Sequence, residues 1–311
     1  MIRYSQIILA AALLTGAHLA TGQQRSSAAE QPVRAFPSND QVGIDVDRFV
    51  GDPFLSLPRI THESIIKRSI LRHGDPHEPG EPGAVLQYRK DFAVATLMGW
   101  NETPLVETPE QHILMIQDGV GRLDNGSEYW DLREGIAVLI PPKMKHRIKS
   151  TSAKPLNFFL LTWDNPEVVT PRKDILVRDV HTLPFAEKNA HWSYQAKNIF
   201  HPSDGLHPNE KVLIVYMAPM TIGSPHPHVP QWEEVWTKFS PGKAYMMLGS
   251  EIREMPQNVG FIAPPNARTV HTVMNLSKTD IQSWFYFARY TRPAPDYKDQ
   301  PSIKGKPLPR E

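Results

Sequence analysis

Short runs of apolar residues, separated by Gly, Pro and Asn, recur along the middle of the chain. The first half contains DFAVATLMGW, HILMIQDG, GIAVLIPP and NFFLLTW, and the second contains KVLIVYMAP, EVWTKF, KAYMMLG, VGFIAPP, HTVMNL and QSWFYFA. The runs have the length of strands and are rich in β-branched and aromatic residues. The pattern predicts an all-β protein with only a few helical turns, for example near residues 63–71.

A long internal repeat relates the two halves. The segments GSEYWDLREGIAVLIPP (126–142) and GSEIREMPQNVGFIAPP (249–265) have equal length, begin with Gly-Ser-Glu and end with Pro-Pro. The same offset of 123 residues aligns Gly119 with Gly242. A period this long indicates duplicated domains rather than a solenoid. Two repeated β units of this size favour a jelly roll or sandwich over a closed up-and-down barrel.

The two ends of the chain differ from the middle. Residues 1–22 read MIRYSQIILAAALLTGAHLATG, with Arg3, an apolar stretch and then small residues, and this predicts a secretory signal. The alternative is an N-terminal anchor that is not cleaved. Residues 23–50 are predicted to be a flexible leader and residues 291–311 a flexible tail, with domains at 51–170 and 171–290. We therefore expect an exported protein, periplasmic or secreted.

Composition excludes several classes of function. The chain has no cysteine, which rules out disulfides, thiolate nucleophiles, Cys-ligated zinc and iron–sulfur clusters. Its formal net charge is +1, with no block of like charge, so nothing indicates a nucleic-acid partner. No apolar run outside the signal is long enough to cross a membrane. The expected partner is a small-molecule substrate.

The stretch SPHPHVPQWEE (224–234) indicates a metal site. On a strand, His226 and His228 point to the same face. Glu233 lies an odd number of residues further on, but Pro230 can bend the chain and return its carboxylate. His271 follows a later strand and could arrive from across the fold. Three imidazoles and one carboxylate suit one divalent Fe, Mn, Ni, Co, Cu or Zn ion. The alternative is that these histidines are ordinary loop residues.

These residues also resemble the two cupin motifs. The first stands here as Gly223, His226, His228, Glu233 and Gly242, and the second as Gly260, Pro265, Ala267, His271 and Asn275. The resemblance spans residues 87–289 and implies a bicupin, with two tandem cupin-type jelly-roll (double-stranded β-helix) domains. The spacing departs from the motif and leaves open whether Glu233 or Glu234 is the ligand. The count from His228 favours Glu233, which would leave Glu234 as a general acid or base beside the metal.

The first copy lacks the histidine pair. The repeat offset places Thr103 and Leu105 at its two positions, while Glu110 keeps the glutamate position. His146 matches the second motif, and we expect it to be a hydrogen-bonded remnant. His112 lies two positions past the glutamate and would have to rescue the site. The sequence therefore predicts one metal, in the second domain, and a degraded site in the first.

Large side chains on the predicted strands are candidates for the wall of a substrate pocket. They are Trp232, Trp236, Met246, Phe261, Trp284 and Tyr286. An aromatic wall would suit an aromatic or sugar ring, and the alternative is core packing. Arg268, in the loop before His271, could hold a substrate carboxylate in a bidentate pair or lie in solvent.

Three functions remain open at this stage. The first, slightly favoured, is dioxygenase-type oxidation of a small aromatic or diketone substrate at the C-terminal metal. The second is a redox-neutral lyase, isomerase or hydrolase acting on a sugar or sugar acid. The third is a non-catalytic binding protein. The cupin resemblance supports metal binding but does not select the reaction, because one fold hosts many functions. It also implies association into homodimers.

Overall fold

The computed structural model describes residues 43–164, 170–186, 193–296 and 300–309. Within these ranges the only α-helix is α1 (Val46–Phe49), and two 3₁₀ turns span Pro53–Leu55 and Pro202–Asp204. The predicted signal and most of the predicted leader lie outside the described residues. No helix in the described part of the chain is long and apolar enough to cross a membrane.

Strands dominate the rest of the structure. In chain order they are β1 (Val50–Gly51), β2 (Arg59–Thr61), β3 (Ile65–His73), β4 (Ala84–Leu86), β5 (Asp91–Leu97), β6 (Gln111–Asp118), β7 (Gly121–Asp124), β8 (Glu128–Leu132), β9 (Ile136–Ile140), β10 (Arg147–Ser150), β11 (Leu156–Trp163), β12 (Leu176–Asp179), β13 (Tyr194–Phe200), β14 (Glu210–Met217), β15 (Thr221–Ile222), β16 (Glu233–Lys238), β17 (Ala244–Leu248), β18 (Glu251–Met255), β19 (Gly260–Ile262), β20 (His271–Asn275), β21 (Gln282–Arg289) and β22 (Lys306–Pro307).

Each half of the chain forms a large and a small sheet. In the first domain the large sheet has the order β12-β9-β6-β11-β5-β3-β2, with β4 beside β3, and the small sheet has the order β10-β7-β8-β22. In the second domain the large sheet runs β1-β19-β16-β21-β14-β13 and the small sheet β15-β20-β17-β18. Pairing is antiparallel except between β3 and β4. The predicted all-β, two-domain jelly-roll architecture is confirmed.

The continuous apolar runs are strands buried on both faces. In β11, Phe158 and Leu160 belong to a core cluster inside the first domain. Phe159 and Leu161 belong to a second cluster, which continues into the other domain. Alternate side chains point to opposite faces of a strand, so this large sheet has one face toward its own small sheet and the other toward the second domain.

Aromatic rings join the two large sheets. Phe92 on β5 lies 5.8 Å from Phe285 and 5.0 Å from Phe287 on β21, measured between ring centroids. Phe159 lies 5.5 Å from Phe285. Stacked, tilted and edge-on pairs at these separations stabilise beyond the apolar area that they bury. The interface between domains is therefore part of a hydrophobic core that both large sheets share.

The chain ends are exchanged between the domains. Near the N-terminus, β1 pairs with β19 of the second domain. Near the C-terminus, β22 pairs with β8 of the first domain, and the Trp130 indole N–H donates to the Ile303 carbonyl at 3.2 Å. Residues 303–308 of the predicted flexible tail are thus held by strand pairing, which corrects that prediction. The predicted second domain begins at residue 171, yet β12 extends the first domain's large sheet beside β9.

The prediction of helical turns near residues 63–71 is wrong. These residues enter β3, which pairs with β2 on one side and β5 on the other. Ile65 and Ile66 are β-branched and favour a strand. Pairing with the two neighbouring strands decides the conformation here, because the local pattern of apolar residues has neither helical nor strand periodicity.

Candidate metal centre

Three histidines and one glutamate converge at the mouth of the second domain. His226, His228, Glu234 and His271 each offer one ligand atom, and these atoms all lie within 4.8 Å of one another. His226 and His228 lie in the loop before β16, Glu234 lies on β16, and His271 begins β20. Backbone hydrogen bonds of 3.3 and 3.1 Å tie His226 to His271, which brings the two motifs together. No other such cluster occurs in the ranges that the structure covers.

The carboxylate of Glu234 faces two of the imidazoles. Its Oε1 lies 3.0 Å from Nε2 of His271, and its Oε2 lies 3.0 Å from Nε2 of His228. Burial raises the pKa of Glu234, but the imidazoles of His228 and His271 more than offset this and hold it well below its usual range. Burial also lowers the pKa of His271. The site therefore favours an ionised Glu234 carboxylate beside a neutral His271 imidazole, which is the protonation state that a metal requires of these two ligands.

The atoms of the cluster fit a shared ion. Nδ1 of His226 lies 2.8 Å from the Ser224 carbonyl, which can only accept, so Nδ1 carries the proton and Nε2 the lone pair. Nε2 of His228 is buried and faces Oε2 of Glu234 at 3.0 Å without the geometry of a hydrogen bond. Separations of 3.0 Å suit adjacent ligands, since metal–N and metal–O bonds are about 2.0–2.2 Å long. This donor set suits a divalent transition metal.

The structure corrects the choice of carboxylate. Glu233 lies next to Glu234 on β16, where successive side chains point to opposite faces. Its Oε2 accepts hydrogen bonds from the backbone N–H groups of Gln87 and Tyr88, at 2.6 and 3.0 Å. Its Oε1 accepts from Nη1 of Arg89 at 2.9 Å. Glu233 therefore joins the two domains, and Glu234, predicted to be a general acid or base, is the carboxylate in the cluster.

Two donors fix the Glu234 carboxylate. The Trp236 indole N–H donates to its Oε1 at 2.7 Å, and the Tyr286 hydroxyl donates to its Oε2 at 2.8 Å. The hydroxyls of Tyr286 and Tyr290 lie 3.1 Å apart and extend the network. Burial raises the pKa of Tyr286, so its hydroxyl remains a donor. Such outer hydrogen bonds orient metal ligands and tune their basicity.

A cavity of about 760 Å³ opens beside the cluster. His226, His228 and Glu234 lie in its wall. Further lining residues are Tyr194, Asn198, Lys211, Leu213, Trp232, Tyr286, Tyr290 and Arg292. Trp232 stacks on His228 with ring centroids 4.5 Å apart. The cluster is thus accessible to a molecule of drug-like size, which pockets of 300–1,000 Å³ typically bind.

The predicted pocket wall is only partly correct. Trp232 and Tyr286 line the cavity. The other predicted aromatic and apolar residues are buried in the core and do not line it; they are Trp236, Met246, Phe261 and Trp284. Arg268 is exposed in a turn capped by Asn266, outside the cavity wall. Sequence reasoning missed Lys211, although it opens an apolar run whose alternation places Lys211 and Leu213 on one face.

The first domain has an equivalent position for each ligand. The Val106–His146 bridge corresponds to the His226–His271 bridge. The backbone N–H of Lys143 donates to the Thr108 carbonyl, as that of Ala267 does to the His228 carbonyl, and both donors have a φ of 60°. His112 occupies the position of Glu234. It lies opposite Ile140 in the strand pairing, and Glu234 likewise lies opposite Ala263, whose backbone N–H donates to its carbonyl.

This corrects the comparison of the two copies by a fixed offset. The histidine pair is replaced by Val106 and Thr108, not by Thr103 and Leu105. Glu110 does not occupy the carboxylate position, and its carboxylate instead accepts from Lys90 at 2.7 Å. The loops between the strands differ in length in the two copies, so a single offset does not hold throughout.

A histidine from outside the repeat enters the first-domain site. Nε2 of His62, in the turn between β2 and β3, lies 3.0 Å from Nε2 of His146. The hydroxyls of Thr108 and Thr162 engage the two ring nitrogens of His112, at 2.9 and 3.1 Å. Nδ1 of His146 lies 2.8 Å from the Met144 carbonyl, so His146 acts as the predicted hydrogen-bonded residue. Sequence reasoning missed His62, which no motif marks.

The fold is similar to known cupins. The family model for the AraC-like ligand binding domain matches residues 100–205. A putative glyoxylate induced protein from Pseudomonas aeruginosa aligns with a TM-score of 0.59 at 13% identity, covering 80% of this chain and 90% of that one. Protein Ylba from E. coli aligns at 0.59 and 12% identity, covering 84% and 100%. A variant of oxalate decarboxylase from Bacillus subtilis aligns at 0.57 and 12%, covering 81% and 80%.

These similarities define the class of protein at the level of fold. The chain has a bicupin architecture, with two tandem jelly-roll domains and a candidate His/Glu metal site in the second. No sequence among the curated proteins matches it significantly.

Proposed function

We propose that the protein is a metal-dependent enzyme that converts a small organic molecule at the second-domain centre. The observation that carries this proposal is the cluster of His226, His228, Glu234 and His271 in the wall of a cavity large enough for a substrate. A purely structural ion needs no such access. The first-domain site has no corresponding set of convergent ligands among the described residues.

The residues around the centre have separable roles in this proposal. The three imidazoles and the Glu234 carboxylate hold one divalent ion. Trp236 and Tyr286 keep that carboxylate oriented. The stacked ring of Trp232 covers His228 and shields it from water. The aromatic wall then positions an apolar part of the substrate next to the ion.

We favour dioxygenase-type oxidation as the reaction. A redox-active ion such as Fe, Mn, Ni or Cu, bound in a site of this kind, would supply the electron transfer that oxidation by dioxygen requires. The neutral imidazoles and single carboxylate carry little negative charge and provide nitrogen-rich ligation. The alternative is a redox-neutral lyase, isomerase or hydrolase, which the same donor set supports with zinc, because zinc polarises substrate oxygen without changing oxidation state.

Elemental analysis of the purified protein tests the metal centre. We expect about one equivalent of a divalent transition metal per chain, lost in His228→Ala and retained in His77→Ala, since His77 is exposed and far from the cluster in sequence. Iron, copper, manganese or nickel with substrate-dependent oxygen uptake would support the oxidative reaction. Zinc without oxygen uptake would support the redox-neutral one. Full metal content in His228→Ala would overturn the site.

We also propose that the protein is exported. The support is the sequence of residues 1–22, with a positive residue, an apolar stretch and small residues before Gln23. Mass spectrometry of the protein recovered from a periplasmic or culture fraction tests this, with an N-terminus at Gln23 expected. Recovery of the whole chain in the cytoplasm would contradict it.

A further inference from the structure

A lysine without a partner lies in the wall of the metal-centre cavity. Lys211, the second residue of β14, lines the same cavity as His226, His228 and Glu234. It forms no hydrogen bond or salt bridge with any residue that the structure describes. Its ammonium lies 4.9 Å from the ring centroid of Tyr290 and 5.8 Å from that of Tyr286. These aromatic faces stabilise the cation in part, but they accept none of its hydrogen bonds.

The neighbouring acid does not neutralise this lysine. Glu210 precedes Lys211 and therefore points to the opposite face of β14. There it lies 3.4 Å from Nη2 of Arg89 and 3.8 Å from Nη1 of Arg289. Burial lowers the pKa of Lys211 to about 8, although the Glu234 carboxylate in the same cavity wall raises it in part, so the group remains mainly protonated at neutral pH. The cavity therefore contains a positive charge that lacks a hydrogen-bond acceptor.

The other polar groups of the cavity also favour a ligand that accepts hydrogen bonds. Arg292 adds a second cation to the lining, and Glu234 is the only carboxylate among the described residues that line it. That carboxylate already accepts hydrogen bonds from Trp236 and Tyr286. The indole N–H of Trp232 is buried and has no partner among the described residues. A divalent ion would add further positive charge. The donors of the cavity that lack an acceptor therefore match an anionic group of a ligand.

We propose that Lys211 binds a carboxylate of the substrate, and that the substrate is a small organic acid with an apolar, ring-sized body. This inference rests on the proposed function in placing the acid beside the metal centre. The volume of about 760 Å³ is far larger than a two-carbon acid requires. The rings of Trp232, Tyr286 and Tyr290 supply an apolar wall beside the cation. Lys211 thereby selects the acid over its neutral analogues and orients it toward the histidines.

Binding of two matched probes tests this role. Benzoate and benzamide have nearly the same shape, but only benzoate carries a negative charge. Isothermal titration calorimetry at pH 7 would compare both probes on the wild type, on Lys211→Met and on Lys243→Met. Methionine keeps the length of the side chain without its charge. Lys243 is a highly exposed lysine outside the cavity and serves as the control.

We expect the wild type to bind benzoate at least tenfold more tightly than benzamide. Lys211→Met should lose this preference, whereas Lys243→Met and the charge-retaining Lys211→Arg should keep most of it. Equal affinities in the wild type, absence of benzoate binding, or an unchanged preference in Lys211→Met would each overturn the proposal. If Lys211→Met fails to fold, the two probes are compared on the metal-free wild type, where benzoate binding no tighter than benzamide binding would overturn the proposal.

Metal content measured on the same samples separates this inference from the proposed function. A metal-free protein that still prefers benzoate in a Lys211-dependent way would support the anion site and refute the metal centre. A metal-loaded, active protein without the preference would refute only the role of Lys211. A purely aromatic-packing role for Lys211 would change the melting temperature in Lys211→Met but not the ratio of the two affinities.

Discussion

The two adjacent glutamates of β16 should respond in opposite ways to the same substitution. Glu234→Gln removes the negative ligand of the cluster, so we expect metal binding to be lost while the fold remains. Glu233→Gln leaves the cluster untouched and removes the charge that Arg89 faces across the domain interface. We expect Glu233→Gln to retain metal and to be markedly less stable.

The structure sets the size of the Glu233 effect. The side chains of Glu233 and Arg89 are each only 1% exposed, and their charged atoms are 2.9 Å apart. Removing one partner of a buried ion pair typically costs about 3–5 kcal/mol, because the other charge remains buried. Here Glu210 lies 3.4 Å from Arg89 and compensates in part. The glutamine oxygen can also keep accepting from the backbone of Gln87 and Tyr88. We therefore expect about 3 kcal/mol, the lower end of the range.

Urea unfolding and elemental analysis measure both effects on the same preparations. With a slope of about 3 kcal/mol per molar urea, a loss of about 3 kcal/mol lowers the midpoint by about 1 M. Glu234→Gln should shift the midpoint of the metal-free protein by less, since its carboxylate contacts imidazoles, an indole N–H and a hydroxyl rather than a guanidinium. Metal loss in Glu233→Gln together with retention in Glu234→Gln would refute this assignment of the pair. A stability of Glu233→Gln equal to that of the wild type would refute the role of the ion pair.

Three further predictions follow from the described contacts. Burial lowers the pKa of His62 to about 4, so on acidification the unfolded chain binds a proton at this residue before the folded chain does. The free energy of unfolding should therefore fall by up to roughly 3 kcal/mol as the pH drops from 6.5 through 4. In pH-dependent urea unfolding, His62→Asn should reduce this acid sensitivity, and the exposed His77→Asn should not. Deleting residues 300–311 removes the acceptor of the Trp130 N–H and uncovers the Trp130 ring, which should cost about 1–3 kcal/mol in the same assay, and an unchanged urea midpoint would contradict this. Tyr286→Phe removes a donor to the Glu234 carboxylate and should weaken metal affinity about 10–100-fold in a competition titration with a chelator, whereas an unchanged affinity would exclude its orienting role.

Most of the fold could be predicted because its signal is local. Runs such as FFLL (158–161) are apolar at successive positions, and the structure shows β11 buried on both faces, as such runs require. The internal repeat then supplied the two domains. The exchange of chain ends between domains could not be predicted, because β1 and β22 have two residues each and show no period. Their positions are set by partners that lie about 170 to 210 residues away, and no local pattern encodes such pairing.

The candidate site shows why ligand identity needs strand register as well as residue type. All three histidines could be predicted, since the His-x-His spacing and the later Pro-to-His loop are local features. The choice between Glu233 and Glu234 depends on which face of β16 each side chain takes, and a shift of one residue exchanges the two faces. Trp236 carried the missing signal: it lies two residues beyond Glu234, on the same face, and a buried indole N–H usually pairs with an acceptor. A pattern of Glu-x-Trp on a buried strand therefore identifies the inward carboxylate, whereas the count along a bent loop does not.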